Sequence, residues 1–316
     1  MAHAKGANVR MLLDYESSYG TTPGTPHSHV MPFYSDNVKS TQTLNEDKLI
    51  RNNRNPAQPT RGLIDVSGSV VVPIDQVLIG YWLKAMFGAP TTTGSADPYT
   101  HVFKLGQDQP SLTIERGFVD VGKFFLYNGC KVGGISFDVG GEGDPQITID
   151  LMGAKETISG TTFDEGTTIT LTKFNQFQAA IKEGGSTIAT VTKASVKIDF
   201  GLDGDYYPIG SNGVRGAIAD GIASVTGSIT AWFDDDTLLN KAINGTESSL
   251  EITFSAGATR SIAFLIPELV YERSSPQVDG PKGIMIDLPF RAYWQNDASN
   301  TAFQVTLKNA QASYTT

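Results

Sequence analysis

Shifting the sequence by 159 residues lays one stretch of it on another without a gap. Val66-Ser-Gly-Ser-Val70 meets Val225-Thr-Gly-Ser-Ile229, while Ile50, Asn53, Gly62 and Asp75 meet Ile209, Asn212, Gly221 and Asp234. Two further matches keep the same order: Ser111-Leu-Thr-Ile114 with Ser249-Leu-Glu-Ile252, and Ile147-Thr-Ile-Asp-Leu151 with Ile284-Met-Ile-Asp-Leu288. Collinear matches of this kind indicate an internal duplication, with copies at roughly 30–156 and 190–295. Any fold proposed for the chain must therefore be one that a unit of about half its length builds twice. The expected division is an N-terminal arm (1–30), a first domain (31–156), a connector (157–192) and a second domain with a C-terminal extension (193–316).

The unit is mainly β. Thirty-three glycines and fifteen prolines punctuate short stretches rich in Val, Ile, Thr, Phe and Tyr, the pattern of strands joined by turns. Each copy adds one short helix. In the first, Ile74, Leu78, Tyr81, Trp82 and Ala85 form an apolar stripe over 74–87, Asp75 sits in the first turn, and Gly88 and Pro90 end it. That stripe suits core packing better than a cofactor box. In the second, Asp234-Asp-Asp opens a helix that Gly245 closes, so the three aspartates read as a helix start rather than a metal site. The expected architecture is a pair of β-sandwich or barrel domains.

The strands alternate in the same phase in both copies. Asp65, Ser67 and Ser69 oppose Ile64, Val66 and Val70, and Ser224, Thr226 and Ser228 oppose Val225, Gly227 and Ile229. Asp138, Asp150 and Asp287 fall on polar phases too, as do Lys197 and Asp199 against Val196, Ile198 and Phe200. One wet face is what a sandwich shows outside, and equally what a barrel with a water-filled bore shows inside.

Catalytic and ligand-binding chemistry is sparse. No Gly-x-Ser-x-Gly elbow, phosphate loop or dinucleotide fingerprint occurs. His27-Ser-His29 lacks an acidic or cysteine partner nearby, and Asp203-Gly-Asp205 lacks the further acids of a calcium loop and reads as a turn. Neither a cofactor nor a metal is expected, and no enzymatic activity. The formal net charge is −9, and no Lys/Arg cluster offers a grip on phosphates. The one basic island, Arg51, Arg54 and Arg61, reads either as a solvated loop or as an interface. Cys130 is the single cysteine, which excludes an intrachain disulfide and fits assembly in a reducing cytoplasm. The start of the chain lacks a signal-peptide core, and no run reaches the ~18 apolar residues of a membrane span.

Several stretches, in order, resemble phage tail tube proteins: Leu12-Leu-Asp-Tyr-Glu16 with Tyr19-Gly20-Thr and Pro23, Asn53-Arg54, the Val66-Ser-Gly-Ser strand followed by a helix ending at Gly88, Ser111 to Glu115, Gly129-Cys130-Lys-Val, and Gly280-Pro-Lys-Gly283 running on to Pro289-Phe-Arg-Ala292. The resemblance covers about 10–295. It implies rings stacked into a hollow tube, related to the tube of type VI secretion, in which six domains each give four strands to a closed intersubunit barrel and DNA passes down the bore. The partners it implies are the chain itself and the tail terminator, tape measure and distal tail proteins, in a virion assembled in a bacterial cytoplasm. If each copy is one tube domain, three chains supply a ring, with a hexamer of chains as the alternative. Asp65, Ser67, Ser69, Asp138, Asp150, Ser224, Ser228 and Asp287 then line the lumen as an acidic, hydroxyl-rich wall. Arg51, Arg54 and Arg61, on the polar 35–61 loop, would meet the next ring. The competing readings are a distal tail or hub protein with the same domain, and a receptor- or carbohydrate-binding β-sandwich presenting Tyr206-Tyr207 or Tyr293-Trp294.

Overall fold

A computed structural model describes residues 3–278 and 280–314. The outer ends of the 1–30 and 193–316 segments therefore lie outside the described residues. The first half carries β1 (Val9–Tyr15), two short strands β2 (His29–Val30) and β3 (Ser35–Asp36), β4 (Lys39–Asn45), β5 (Thr60–Pro73), helix α1 (Ile79–Phe87), β6 (Thr91–Thr93), β7 (Tyr99–Lys104), β8 (Leu112–Phe118), β9 (Lys123–Val139), β10 (Gln146–Gly153) and β11 (Lys155–Ser159). The second half carries β12 (Ala179–Glu183), β13 (Ser186–Thr187), β14 (Val191–Asp199), β15 (Ser224–Trp232), helix α2 (Thr237–Asn244), β16 (Ser248–Ser255), β17 (Ser261–Tyr271), β18 (Met285–Tyr293) and β19 (Gln304–Asn309).

The strands pair antiparallel in two layers. One layer runs β4-β5-β10-β9 and continues without a break as β14-β15-β18-β17. The other holds β1-β8-β9-β11 in the first half and β12-β16-β17-β19 in the second, with β7 extending β19. With β2, β3, β6, β7 and β13 set aside, the strand sequence, the place of the helix and the order of pairing are the same in both halves. The long strands β9 and β17 each serve two layers. The N-terminal stretch of β9 pairs with β8 and β11, and from Lys131 onward it pairs with β10 and, over Gly134–Val139, with β14. The sheet within one chain is open at both ends.

The arm and the connector both hold strands. The 1–30 segment contains β1, whose Met11, Leu12 and Leu13 are fully buried beside β8. The 157–192 segment contains β12, which occupies the same place beside β16. The turn after β1 is pinned by carboxylates. Asp14 accepts from the amides of Tyr15 and His27, and Glu16 from the amides of Gly20 and Gly129 and from Thr113 and Asn128. This accounts for the Asp14-Tyr-Glu16 and Gly20 signature as turn architecture.

The repeated Val-Ser/Thr-Gly-Ser motif has a steric cause. A Cβ at Gly68 would lie 2.5 Å from the Val38 Cα, and one at Gly227 would lie 2.1 Å from the Ser195 carbonyl oxygen. At both places the neighbouring strand passes too close for any side chain. Register also corrects one sequence match. Ser69 faces Asp150 and Ser228 faces Pro289. Taking Ser69 and Ser228 as equivalent, Ile147–Leu151 corresponds to Ile286–Phe290, two residues later than the letters suggest. A two-residue slip leaves every side chain on its original face, so the sequence could not reveal it.

Helix α1 begins at Ile79, later than expected. Asp75 accepts hydrogen bonds from the Val77, Leu78 and Ile79 amides, and burial pushes its carboxyl up to about 6 against those bonds. Every residue of α1 is buried, as a helix apolar on all sides requires. At α2 the capping carboxylate is Asp235, bonded to the Thr237 amide, rather than the Asp234 that aligns with Asp75. The core is one cluster spanning both halves: Phe137 packs on Phe264 with ring centroids 4.7 Å apart, and Phe87 meets both Phe200 and Phe303. Tyr314, near the C-terminus, is fully buried over Gly80 and hydrogen-bonds the Val77 carbonyl.

Candidate functional site

The eight-strand layer has one face packed and one open. Val66, Val70, Ile135, Ile149, Val196, Ile198, Ile229 and Leu288 point into the core at no more than 2% exposure. The alternate positions face outward, and all eight polar candidates lie there. Ser69 sits opposite Asp150, Asp138 opposite Ser195, Ser195 opposite Ser228, and Asp199 opposite Ser224. The Ser195 and Ser228 hydroxyls are 3.1 Å apart, and Thr230 donates to Asp287 at 3.0 Å. Ser67 donates to Asp65 at 2.7 Å.

Lysines and arginines share this face, which makes it mixed in sign rather than acidic. Lys193 pairs with Asp138 at 3.3 Å, and Arg291 with Glu272 at 2.9 Å. Asp150 sits between strands where Gly134 leaves room for its carboxylate. Burial raises its pKa, Lys197 draws it down and Asp199 pushes it up, so these three charges sense one another. Lys197 was visible in the alternation of β14. Arg215 was not, because it lies in the 200–223 loop with no periodicity to place it.

That loop folds back over the first half. Arg215 is 5% exposed and hydrogen-bonds the Gly204 and Gly153 carbonyls and, at 2.8 Å, the Asp65 carboxylate. Burial raises the Asp65 pKa, but the Arg215 and Ser67 bonds outweigh it and hold the carboxyl below its usual value. Tyr207 donates to the Ile64 carbonyl, and the Ile64 amide to the Gly213 carbonyl. The corresponding first-half loop, between β4 and β5, instead projects freely. Ile50 and Ile209, the matched residues of the two loops, are both fully exposed. Arg51 pairs with Asp47 on its own loop, while Arg54 and Arg61 are exposed and make no ion pair among the described residues.

His29 stacks on Tyr81 at 3.9 Å, and Asp203 and Ala219 exchange backbone hydrogen bonds across a turn. The two edges of the layer are unequal. The free edge of β4 is exposed along most of its length, and beyond Tyr271 the chain leaves the layer as the non-strand segment 272–278.

Comparison with curated proteins returns no match. A sequence model of the family described as phage tail tube protein does match, over residues 6–292. This span takes in both halves, from the first buried strand to the last strand of the eight-strand layer, and the chain belongs to the phage tail tube protein family.

Proposed function

We propose that the chain self-assembles into stacked rings that form the hollow tail tube, with each half serving as one tube domain and three chains closing a ring of pseudo-sixfold symmetry. The observation that carries this reading is the layer β4-β5-β10-β9 followed by β14-β15-β18-β17: two four-strand sets in one order, already joined edge to edge. Three such chains bring twenty-four strands, and closure removes the exposed edges that otherwise invite uncontrolled pairing. The domain division of 31–156 and 193–316 is then extended by β1 and β12, one for each half.

The open face becomes the lumen wall. Asp65, Ser67, Ser69, Asp138, Asp150, Ser224, Ser228 and Asp287 line it together with Lys193, Lys197 and Arg291. Hydroxyls and locally paired charges offer DNA no continuous cationic track, so phosphates pass without gathering the many contacts that make binding strong. Arg51, Arg54 and Arg61 approach the next ring, and reversing Arg54 and Arg61 to Glu is expected to yield rings that fail to stack. The tail terminator, tape measure and distal tail proteins are the expected partners in the virion, and a flexible, non-contractile tail is the favoured setting. Electron microscopy of the concentrated protein tests the reading. Hollow tubes with threefold top views support it; sixfold rings of whole chains would overturn the trimer, and a single unstackable ring would favour a tail-tip component.

A further inference from the structure

The chain contains its own template for the contact between chains. Inside it, the C-terminal end of β9 pairs with β14, with Asp199 opposite Gly134 and Lys197 opposite Ser136. Each of these strands has a counterpart at an outer end of the layer. Thr41 faces Asp65 as Asp199 faces Ser224, so β4 is the counterpart of β14, with Thr41 standing for Asp199 and Lys39 for Lys197. At the other end, Asp150 and Pro289 are equivalent, Asp150 faces Gly134, and the Pro289 carbonyl accepts the Glu272 amide. Glu272 therefore stands for Gly134 and Ser274 for Ser136. The first half has a formed strand at this place and a partner for it. The second half has the largely exposed, non-strand segment 272–278, and among the described residues no strand pairs with its outer edge, the Glu272 amide reaching β18 on the inner side.

We infer that Glu272–Ser274 of one chain becomes a strand by pairing antiparallel with Lys39–Thr41 of a second copy, Thr41 opposite Glu272 and Lys39 opposite Ser274. The inference rests on the tube reading and fixes its register. Three observations favour this occupant. The Lys–Ser pair seen at the internal junction reappears as Lys39 with Ser274. Lys39 comes diagonal to Glu272, an opposite charge within reach on the same face. Val38 and Val196, equivalent by the same register, are both buried, so the two edges are anchored alike. Strand structure at 272–274 is thus a property of the assembled ring, and the outer backbone groups of this stretch gain their partners when the neighbour arrives.

Disulfide trapping tests it. Cys130 is fully buried, and burial pushes its thiol far up, so the native cysteine stays silent. The double variant Thr41→Cys/Glu272→Cys, assembled and then oxidised, is expected to give covalent multimers up to the full ring. The slipped pair Gln42→Cys/Glu272→Cys places its thiols on opposite faces and is expected to cross-link at least tenfold less. Rings seen by microscopy without cross-linking of the first pair, or with the slipped pair linking as well, would overturn the register while leaving the tube reading standing. Cross-linking of Thr41→Cys alone would show two β4 edges meeting and overturn the inference. A folded variant that forms no rings even when reduced, alongside a wild type that also forms none, would overturn both.

Discussion

Replacing Arg215 with methionine removes a guanidinium that holds the two halves together while keeping most of its volume against Tyr207. Two of its acceptors, the Gly153 and Gly204 carbonyls, are buried. Each buried acceptor left unpaired costs about 2 kcal/mol. The third partner, Asp65, has a side chain 46% exposed and rehydrates, so its loss adds at most about 1 kcal/mol. The expected destabilisation is about 4 kcal/mol, which for a chain of this size lowers Tm by roughly 6 °C. Thermal unfolding followed by circular dichroism reads this directly. The pH dependence gives a second readout. Asp65 has a lowered folded-state pKa, so its contribution is present above the unfolded value of about 3.9 and is lost as pH falls through the folded value. The gap between wild type and Arg215→Met should therefore narrow on acidification below about pH 4. A Tm within two or three degrees of wild type at neutral pH, or a gap that widens in acid, would refute the assignment of Arg215 as the clamp.

Gly227→Ala should cost about 3 kcal/mol, because its Cβ would meet the Ser195 carbonyl oxygen, whereas Gly133→Ala, with its nearest atom 3.8 Å away, should be far milder in the same urea titration. Gly80→Ala drives a methyl into the Tyr314 ring and should cost about 3 kcal/mol, but little of that should remain in a Tyr314→Ala background, a non-additivity that a double-mutant cycle measures. Asp150→Asn should stabilise the subunit at neutral pH. Its carboxyl has a raised folded pKa, so its favourable contribution is present in acid and lost as pH rises, and the advantage of Asn should vanish below about pH 4 in parallel melts.

The β class and the alternating phase of the strands were legible because each is a local pattern. Alternation at Ser67, Ser69, Ser224 and Ser228 needs only the period of two, and all four lie where it put them. What escaped depended on distance. Strand β1 hides among the turn residues of 1–30 because its Met11, Leu12 and Leu13 form an unbroken apolar run, with no polar phase to mark it as half of a sheet. Strand β12, Ala179–Glu183, lies in a connector that reads as hairpin-like, but nothing local in it names β16, some seventy residues on, as its partner. Lys193 and Arg291 are each ordinary surface residues until pairing brings them beside Asp138 and Glu272. The Arg215 clamp spans 150 residues to Asp65, so no window along the sequence contains both partners.

Strand β9 runs seventeen residues, changing layers near Cys130, and β17 changes layers likewise between Phe264 and Tyr271. Hydrogen bonds between strands can be peeled one at a time, but a polypeptide backbone cannot. A pull on one layer is therefore handed to the other along continuous covalent chain, at two points in the subunit. The two layers cannot slide past one another or separate unless β9 and β17 themselves unravel. The subunit is in this sense stitched, and its two layers should stay together under strain that would pull apart sheets held together only by side-chain contact.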